Sequence, residues 1–168
     1  MSNISFFHLA SVYPKATEIM VENARKHHPN DYYFLGVDNT FSYQTIADKY
    51  KTDYKFYHNK VGGPKGDYGY RLDGTLEFLS RFHDACMTPD SDHMVMMEDD
   101  VLIRKQITIE EDWELAGQKV TVGNIIPKNI VDSIIDFSGK QPNNVQYGFG
   151  GGSIFKVSTF LDNYDRVL

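Results

Sequence analysis

The sequence predicts an α/β protein, a three-layer α/β/α sandwich around a mostly parallel central sheet. Short continuous apolar runs alternate with segments whose apolar residues recur at helical spacing, in the order β-α-β-α-β-α-β up to residue 100. Strands of a parallel sheet are covered by helices on both faces, so they read as continuous apolar runs. We therefore place strands at residues 4–9, 32–37, 54–57 and 94–97, and helices at 15–28, 41–50 and 70–86.

The bulk composition indicates a single domain and excludes several classes of protein. The chain has 168 residues and a net charge of -6, which argues against a non-specific nucleic-acid binder with a basic surface. No apolar run approaches the ~20 residues that a membrane-spanning helix needs. The start of the chain shows no basic region before an apolar stretch, and Cys86 is the single cysteine. Both features favour a reducing, cytoplasmic location.

Beyond residue 100 the pattern is less regular. A helix is predicted at 127–137, since Pro127 lies near its start and Gly139 follows its end, and another at 158–166. Between them, residues 145–155 form a glycine-rich run that contains Gly150, Gly151 and Gly152. Glycine inside a strand costs stability, so it often marks the close approach of a ligand or of another backbone. These glycines either form a floor for a flat ring or make a bulge or wide turn.

An acidic triplet, Glu98-Asp99-Asp100, directly follows the fourth apolar run. In open α/β folds, ligands bind at the carboxyl ends of the parallel strands. Three adjacent carboxylates repel one another unless a positive charge lies between them, and Mg²⁺ and Mn²⁺ prefer oxygen ligands. The triplet therefore predicts a cation that binds a diphosphate. The alternative is a solvated acidic turn after a core strand.

Three other features are expected at the same edge of the sheet: the loop at residues 10–14, Asp38 after the second strand, and Arg71 with Asp73 at the start of the third helix. An exposed backbone loop and a carboxylate can hold a base or a ribose, while a guanidinium near a helix N-terminus favours phosphate. Each residue taken alone also fits an ordinary turn or a surface charge. The phosphate-loop and dinucleotide-binding glycine patterns are both missing.

The ordered set of features resembles the nucleotide-sugar-dependent glycosyltransferases of the GT-A fold. Glu98-Asp99-Asp100 is similar to their D-x-D motif, and the glycine-rich run with its following helix resembles their acceptor-side segment. The resemblance implies that Asp100 and Glu98 ligate Mn²⁺ or Mg²⁺, with Asp99 near the ribose. It also implies a nucleotide and donor site formed by Ala10, Ser11, Tyr13, Asp38, Arg71 and Asp73, and an acceptor side at Gly150, Gly151, Gly152 and Ser153.

The implied activity is transfer of a sugar from a nucleotide-diphosphate donor, a UDP-sugar by expectation, to a glycan or other hydroxyl acceptor. Residues 1–168 form one catalytic domain in this interpretation, with a nucleotide-binding half at 1–100 and an incomplete acceptor-side half at 101–168. Inverting members usually carry their catalytic acid beyond the glycine-rich strand and helix. Asp162 is a weak candidate, so we expect the base beyond Leu168. The alternatives are a sugar nucleotidyltransferase and a non-catalytic nucleotide- or carbohydrate-binding module.

Overall fold

The computed structural model describes residues 3–10, 13–38, 42–58, 72–110, 114–117, 120–121, 146–147 and 151–167. The helices in these ranges are α1 (Pro14–His27), α2 (Gln44–Tyr50), α3 (Leu72–Met87) and α4 (Val157–Val167). The strands are β1 (Ile4–Ala10), β2 (Tyr32–Val37), β3 (Asp53–Phe56), β4 (His93–Met97), β5 (Leu115–Ala116), β6 (Val120–Thr121), β7 (Gln146–Tyr147) and β8 (Ile154–Lys156). The helix predicted at 127–137 lies outside the described residues.

A six-stranded sheet forms the centre of the fold, in the order β3-β2-β1-β4-β8-β5. β1 pairs in parallel with both β2 and β4, and β2 pairs in parallel with β3. β8 runs antiparallel to β4 and β5, so the sheet is mixed but mostly parallel. The predicted α/β class is confirmed. The four parallel strands share one carboxyl edge, and the ends of β1, β2 and β4 lie side by side there.

Alternate residues of the same strands are buried on opposite faces of the sheet. Phe6, Leu35 and Met97 pack on one face, in a cluster that includes Val21 of α1 and Ile46 of α2. Their neighbours pack on the other face with side chains of α3 and α4, in a cluster that includes Phe7, Phe34, Met96, Phe82 and Val157. Two buried faces explain why the strands read as unbroken apolar runs. They also account for the three layers.

The glycine-rich run does not form one strand. β7 pairs with β6 in a separate two-stranded sheet, whereas β8 joins the central sheet. Gly151 and Gly152 lie in a turn immediately before β8. The turn alternative is therefore the one that applies to these two glycines. None of the helices in the described part of the chain is long and apolar enough to cross a membrane.

Candidate functional site

The acidic triplet lies in a tight turn at the carboxyl edge of the sheet. The backbone N–H of Val101 donates to the carbonyl oxygen of Glu98 at 3.2 Å, which closes a four-residue turn directly after β4. We refer to residues 98–101 as the acidic turn. β4 is central in the sheet, so the turn lies next to the end of β1 on one side and next to the start of β8 on the other.

Asp99 is directed into the protein rather than towards solvent. Its Oδ1 atom accepts a hydrogen bond from the Thr17 hydroxyl at 2.6 Å and lies 3.0 Å from Nε2 of His8. The His8 side chain is fully buried, and its Nδ1 atom lies 2.7 Å from the Tyr33 hydroxyl. Burial raises the pKa of Tyr33, so this hydroxyl keeps its proton. A carboxylate can only accept, so Nε2 of His8 is the donor in the contact with Asp99.

Glu98 and Asp100 differ from Asp99 in their surroundings. The pKa of Glu98 is raised, mainly because the carboxyl is partly buried and secondly because of the nearby charge of Asp100. A hydrogen bond from the backbone N–H of Gly151 and the proximity of His8 oppose that shift. Asp100 is exposed. Asp99 is thus held from the inner side of the turn, Glu98 is half-buried, and Asp100 is the carboxylate most open to solvent.

The number of carboxylates limits what the turn alone can bind. Among the residues that the structure describes, no group of three or more His, Cys, Asp or Glu side chains could hold a metal ion. Mg²⁺ typically takes only one or two protein carboxylates and completes its shell with phosphate oxygens and water. A cation at Glu98 and Asp100 would therefore need phosphate oxygens and water as further ligands.

Gly151 and Gly152 pack directly against the acidic turn. The backbone N–H of Gly152 donates to the carbonyl oxygen of Met96 at 2.7 Å. A Cβ atom on Gly151 would lie 2.1 Å from Cγ2 of Val101 and 3.3 Å from Cβ of Glu98, so there is no room for a side chain. Gly152 has φ +89°, a conformation that other residues rarely adopt. Ser153, the next residue, is buried.

A buried ion pair lies at the end of β2. Asp38 accepts a hydrogen bond at Oδ2 from Nη1 of Arg81 at 3.0 Å. Arg81 is fully buried on α3, and its Nε and Nη2 atoms both donate to Oε1 of Glu77 at 3.1 Å. The guanidinium carbon also lies 4.6 Å from the centroid of the Tyr57 ring. Arg81 thus fixes the position of Asp38, a role that the sequence did not reveal.

The arrangement of the sheet and helices matches a known enzyme fold. The chain aligns with a solved galactosyltransferase, LgtC in complex with donor and acceptor sugar analogues, with a TM-score of 0.52. The chain has a GT-A glycosyltransferase fold. The match covers 98% of this chain and 66% of that one at 12% sequence identity, so the likeness concerns the fold. No protein-family model and no curated protein sequence matches the chain.

The GT-A fold brings most of the described candidates to one edge. Ala10 is buried at the end of β1, while Tyr13, just before α1, is 69% exposed. Ser11, Arg71 and Gly150 lie outside the described residues, and Asp73 lies in the first turn of α3. Asp162 is exposed on α4. This helix begins at the amino edge of the parallel strands, where the N–H of Val157 donates to the carbonyl oxygen of Asp92, just before β4.

The packing of Gly151 against the acidic turn makes a testable prediction. We expect Gly151→Ala to lower the free energy of unfolding by about 1–3 kcal/mol, because the new methyl group and the stiff Val101 side chain cannot both fit. Adding Val101→Ala should recover part of that loss, since it removes the atom in conflict. Urea unfolding of the two single variants and the double variant measures this coupling.

Gly152→Ala provides the matched control. Its cost comes from the left-handed backbone, and a Cβ there would be 3.9 Å from Val101. Val101→Ala should therefore fail to rescue it. Equal rescue of both glycine variants would contradict the packing argument.

Proposed function

We propose that this chain is a metal-dependent glycosyltransferase, which transfers a sugar from a nucleotide-diphosphate donor, a UDP-sugar by expectation, to a hydroxyl acceptor. One observation carries the proposal: in a GT-A fold, the acidic turn lies at the carboxyl edge between the end of β1 and the glycine turn before β8. The ion-paired Asp38 ends β2 at the same edge. Ligands of open α/β sheets bind at such an edge.

Separate parts of the edge suit separate parts of the donor. We assign the nucleoside to a set of residues at the ends of β1 and β2: Ala10, Ser11, Tyr13 and Asp38. The exposed ring of Tyr13 can stack on a base, and the carboxylate of Asp38, which Arg81 fixes, can accept hydrogen bonds from it. Arg71 and Asp73 are assigned to the diphosphate and the donor sugar. Asp99 is held from the inner side of the turn, which favours an orienting role over the ribose contact that the resemblance implied.

The leaving diphosphate carries charge that the site must neutralise. Asp100 and Glu98 would hold Mn²⁺ or Mg²⁺, and a cation there would stabilise the negative charge that develops on the diphosphate. The raised pKa of Glu98 means that this carboxyl gives up its proton less readily in the free protein. Two carboxylates without a donor make a weak site, so we expect metal and nucleotide to bind together.

The acceptor is assigned to the glycine side of the turn, at Gly150, Gly151, Gly152 and Ser153. Gly151 packs against Val101 and Glu98, so this backbone lies directly beside the acidic turn to which the donor is assigned. An inverting reaction also needs a base for the acceptor hydroxyl. We assign no such role to Asp162, since α4 begins at the opposite edge.

Thermal unfolding with a panel of nucleoside diphosphates, each with and without Mn²⁺, tests this function. We expect UDP with Mn²⁺ to raise Tm by roughly 5–10 °C at 100 times Kd, and UDP with EDTA to raise it far less. UDP release from UDP-sugars then tests turnover. The proposal would be contradicted if no nucleoside diphosphate raised Tm in the presence of Mn²⁺. Pyrophosphate release from UTP and a sugar phosphate would identify a nucleotidyltransferase instead, and binding without turnover would identify a binding module.

A further inference from the structure

Four side chains form a continuous hydrogen-bonded network beneath the acidic turn. Tyr33 of β2 contacts His8 of β1, His8 contacts Asp99, and Thr17 of α1 donates to the same carboxylate oxygen of Asp99. We refer to Tyr33, His8, Thr17 and Asp99 as the Asp99 network. Tyr33, His8 and Thr17 are at most 1% exposed. The network thus connects the turn to the core of the sheet and to the first helix.

A network of this kind is an unusual use of core space. Polar groups are costly to bury unless all of them are hydrogen bonded, and well-packed apolar side chains often serve stability equally well. Here a histidine interrupts the apolar run of β1, and both of its ring nitrogens are engaged. Two separate elements hold one oxygen of Asp99. Such double anchoring fixes the direction of a side chain, and with it the orientation of the backbone that carries it.

The orientation of Asp99 determines what its neighbours can reach. Asp99 and Asp100 are the two central residues of a turn closed by the bond between Val101 and Glu98. With Asp99 held inwards by Thr17 and His8, Asp100 is on the exposed side of the turn. Glu98 lies on the other side of the turn, where its Cβ would be 3.3 Å from a Cβ at Gly151. Thr17 and His8 therefore support the turn residue that lies between Glu98 and Asp100, although both are buried.

We propose that Thr17 and His8 are positioning residues for donor binding: through Asp99 they hold the acidic turn so that Glu98 and Asp100 together accept a metal-bound nucleoside diphosphate. This inference rests on the proposed function. It assigns Asp99 to the turn's internal support and leaves the two outer carboxylates to the ligand. Thr17 and His8 themselves contact neither metal nor nucleotide.

The test compares Thr17→Val, which removes the hydroxyl and keeps the shape, with Thr17→Ser, which keeps the hydroxyl. Calorimetry gives Kd for UDP with Mn²⁺ and with EDTA. We refer to the ratio of these two Kd values, which measures the increase in affinity that the metal causes, as the metal-dependent gain. We expect Thr17→Val to reduce this gain about tenfold, the usual effect of losing one hydrogen bond to a charged group, while the metal-free Kd changes less than about twofold. Thr17→Ser should restore the gain.

Ser5→Ala is the matched control for a general loss of stability. Ser5 is also fully buried, its hydroxyl lies 2.8 Å from that of Ser91, and it lies near the start of β1, away from the acidic turn. We expect Ser5→Ala to lower Tm and to leave the metal-dependent gain unchanged. An equal loss of gain in Ser5→Ala and Thr17→Val would overturn the inference, because it would show that the effect is only destabilisation.

The remaining outcomes separate this inference from the proposed function. A wild-type chain with no metal-dependent gain for UDP would overturn the proposed function and the positioning role with it. A wild-type gain that Thr17→Val leaves intact would overturn the positioning role alone. If Thr17→Val does not fold, His8→Phe removes the other bond to Asp99 and keeps a ring in the core. The same selective loss of gain is expected there, and an undiminished gain would overturn the inference.

Discussion

Replacing Asp100 with asparagine is expected to lower the Mn²⁺-dependent affinity for UDP by about 100-fold, which corresponds to about 2.7 kcal/mol. Asp100 is the exposed carboxylate of the acidic turn, whereas Asp99 is held inside and Glu98 is partly buried beside Gly151. A cation at this turn would therefore have Asp100 as its most accessible protein ligand. The asparagine of the variant offers an amide oxygen without the negative charge of the carboxylate. Calorimetry with Mn²⁺ and with EDTA measures the effect.

The stability of Asp100→Asn should remain within about 0.5 kcal/mol of wild type, because exposed side chains rarely contribute more. Asp90→Asn is the matched control: Asp90 is exposed as well and lines a groove at the opposite edge of the sheet, together with Asn3 and Ser91. This variant should bind UDP with Mn²⁺ as wild type does. Full metal-dependent binding by Asp100→Asn would show that the cation is held elsewhere.

Three of the four parallel strands, β1, β2 and β4, could be predicted from the sequence because they are buried on both faces. The apolar run at 32–37 is β2 itself, and the run at 4–9 falls one residue short of the end of β1. Alternate residues such as Phe6 and Phe7 pack on opposite faces, so no polar alternation interrupts the pattern. The antiparallel β8 carried no such signal, since a three-residue strand does not encode its direction.

The candidate site could be predicted only in part. Asp38 and the acidic triplet each follow an apolar run directly, and this was enough to predict that they lie at the same edge of the sheet. It was not enough to show that Asp99 is directed inwards, because that depends on Thr17, far away in the sequence. His8 did leave a signal: a histidine in an apolar run must find hydrogen-bond partners if it is buried. Arg81 left none, since an Arg four residues after Glu77 is typical of an exposed helix pair.

The buried Arg81 provides the prediction with the largest effect on stability. We expect Arg81→Met to lower the free energy of unfolding by about 3–5 kcal/mol, because it removes the positive charge beside two carboxylates that are mostly shielded from water. Asp38 and Glu77 are only 8% and 18% exposed at their side chains. In a chain of this length the loss corresponds to a fall in Tm of roughly 10 °C. Urea unfolding followed by circular dichroism measures it.

Arg81→Lys should recover only part of the loss, because an ammonium cannot reproduce the planar fork that binds Asp38 and Glu77 together. Lys49→Met is the matched control, since Lys49 pairs with Glu18 at 2.7 Å but its side chain is 58% exposed. That exposed pair should be worth less than about 1 kcal/mol. Similar losses in Arg81→Met and Lys49→Met would contradict a buried charge pair. A large loss in Arg81→Met alone is expected for a buried ion pair that joins α3 to the end of β2.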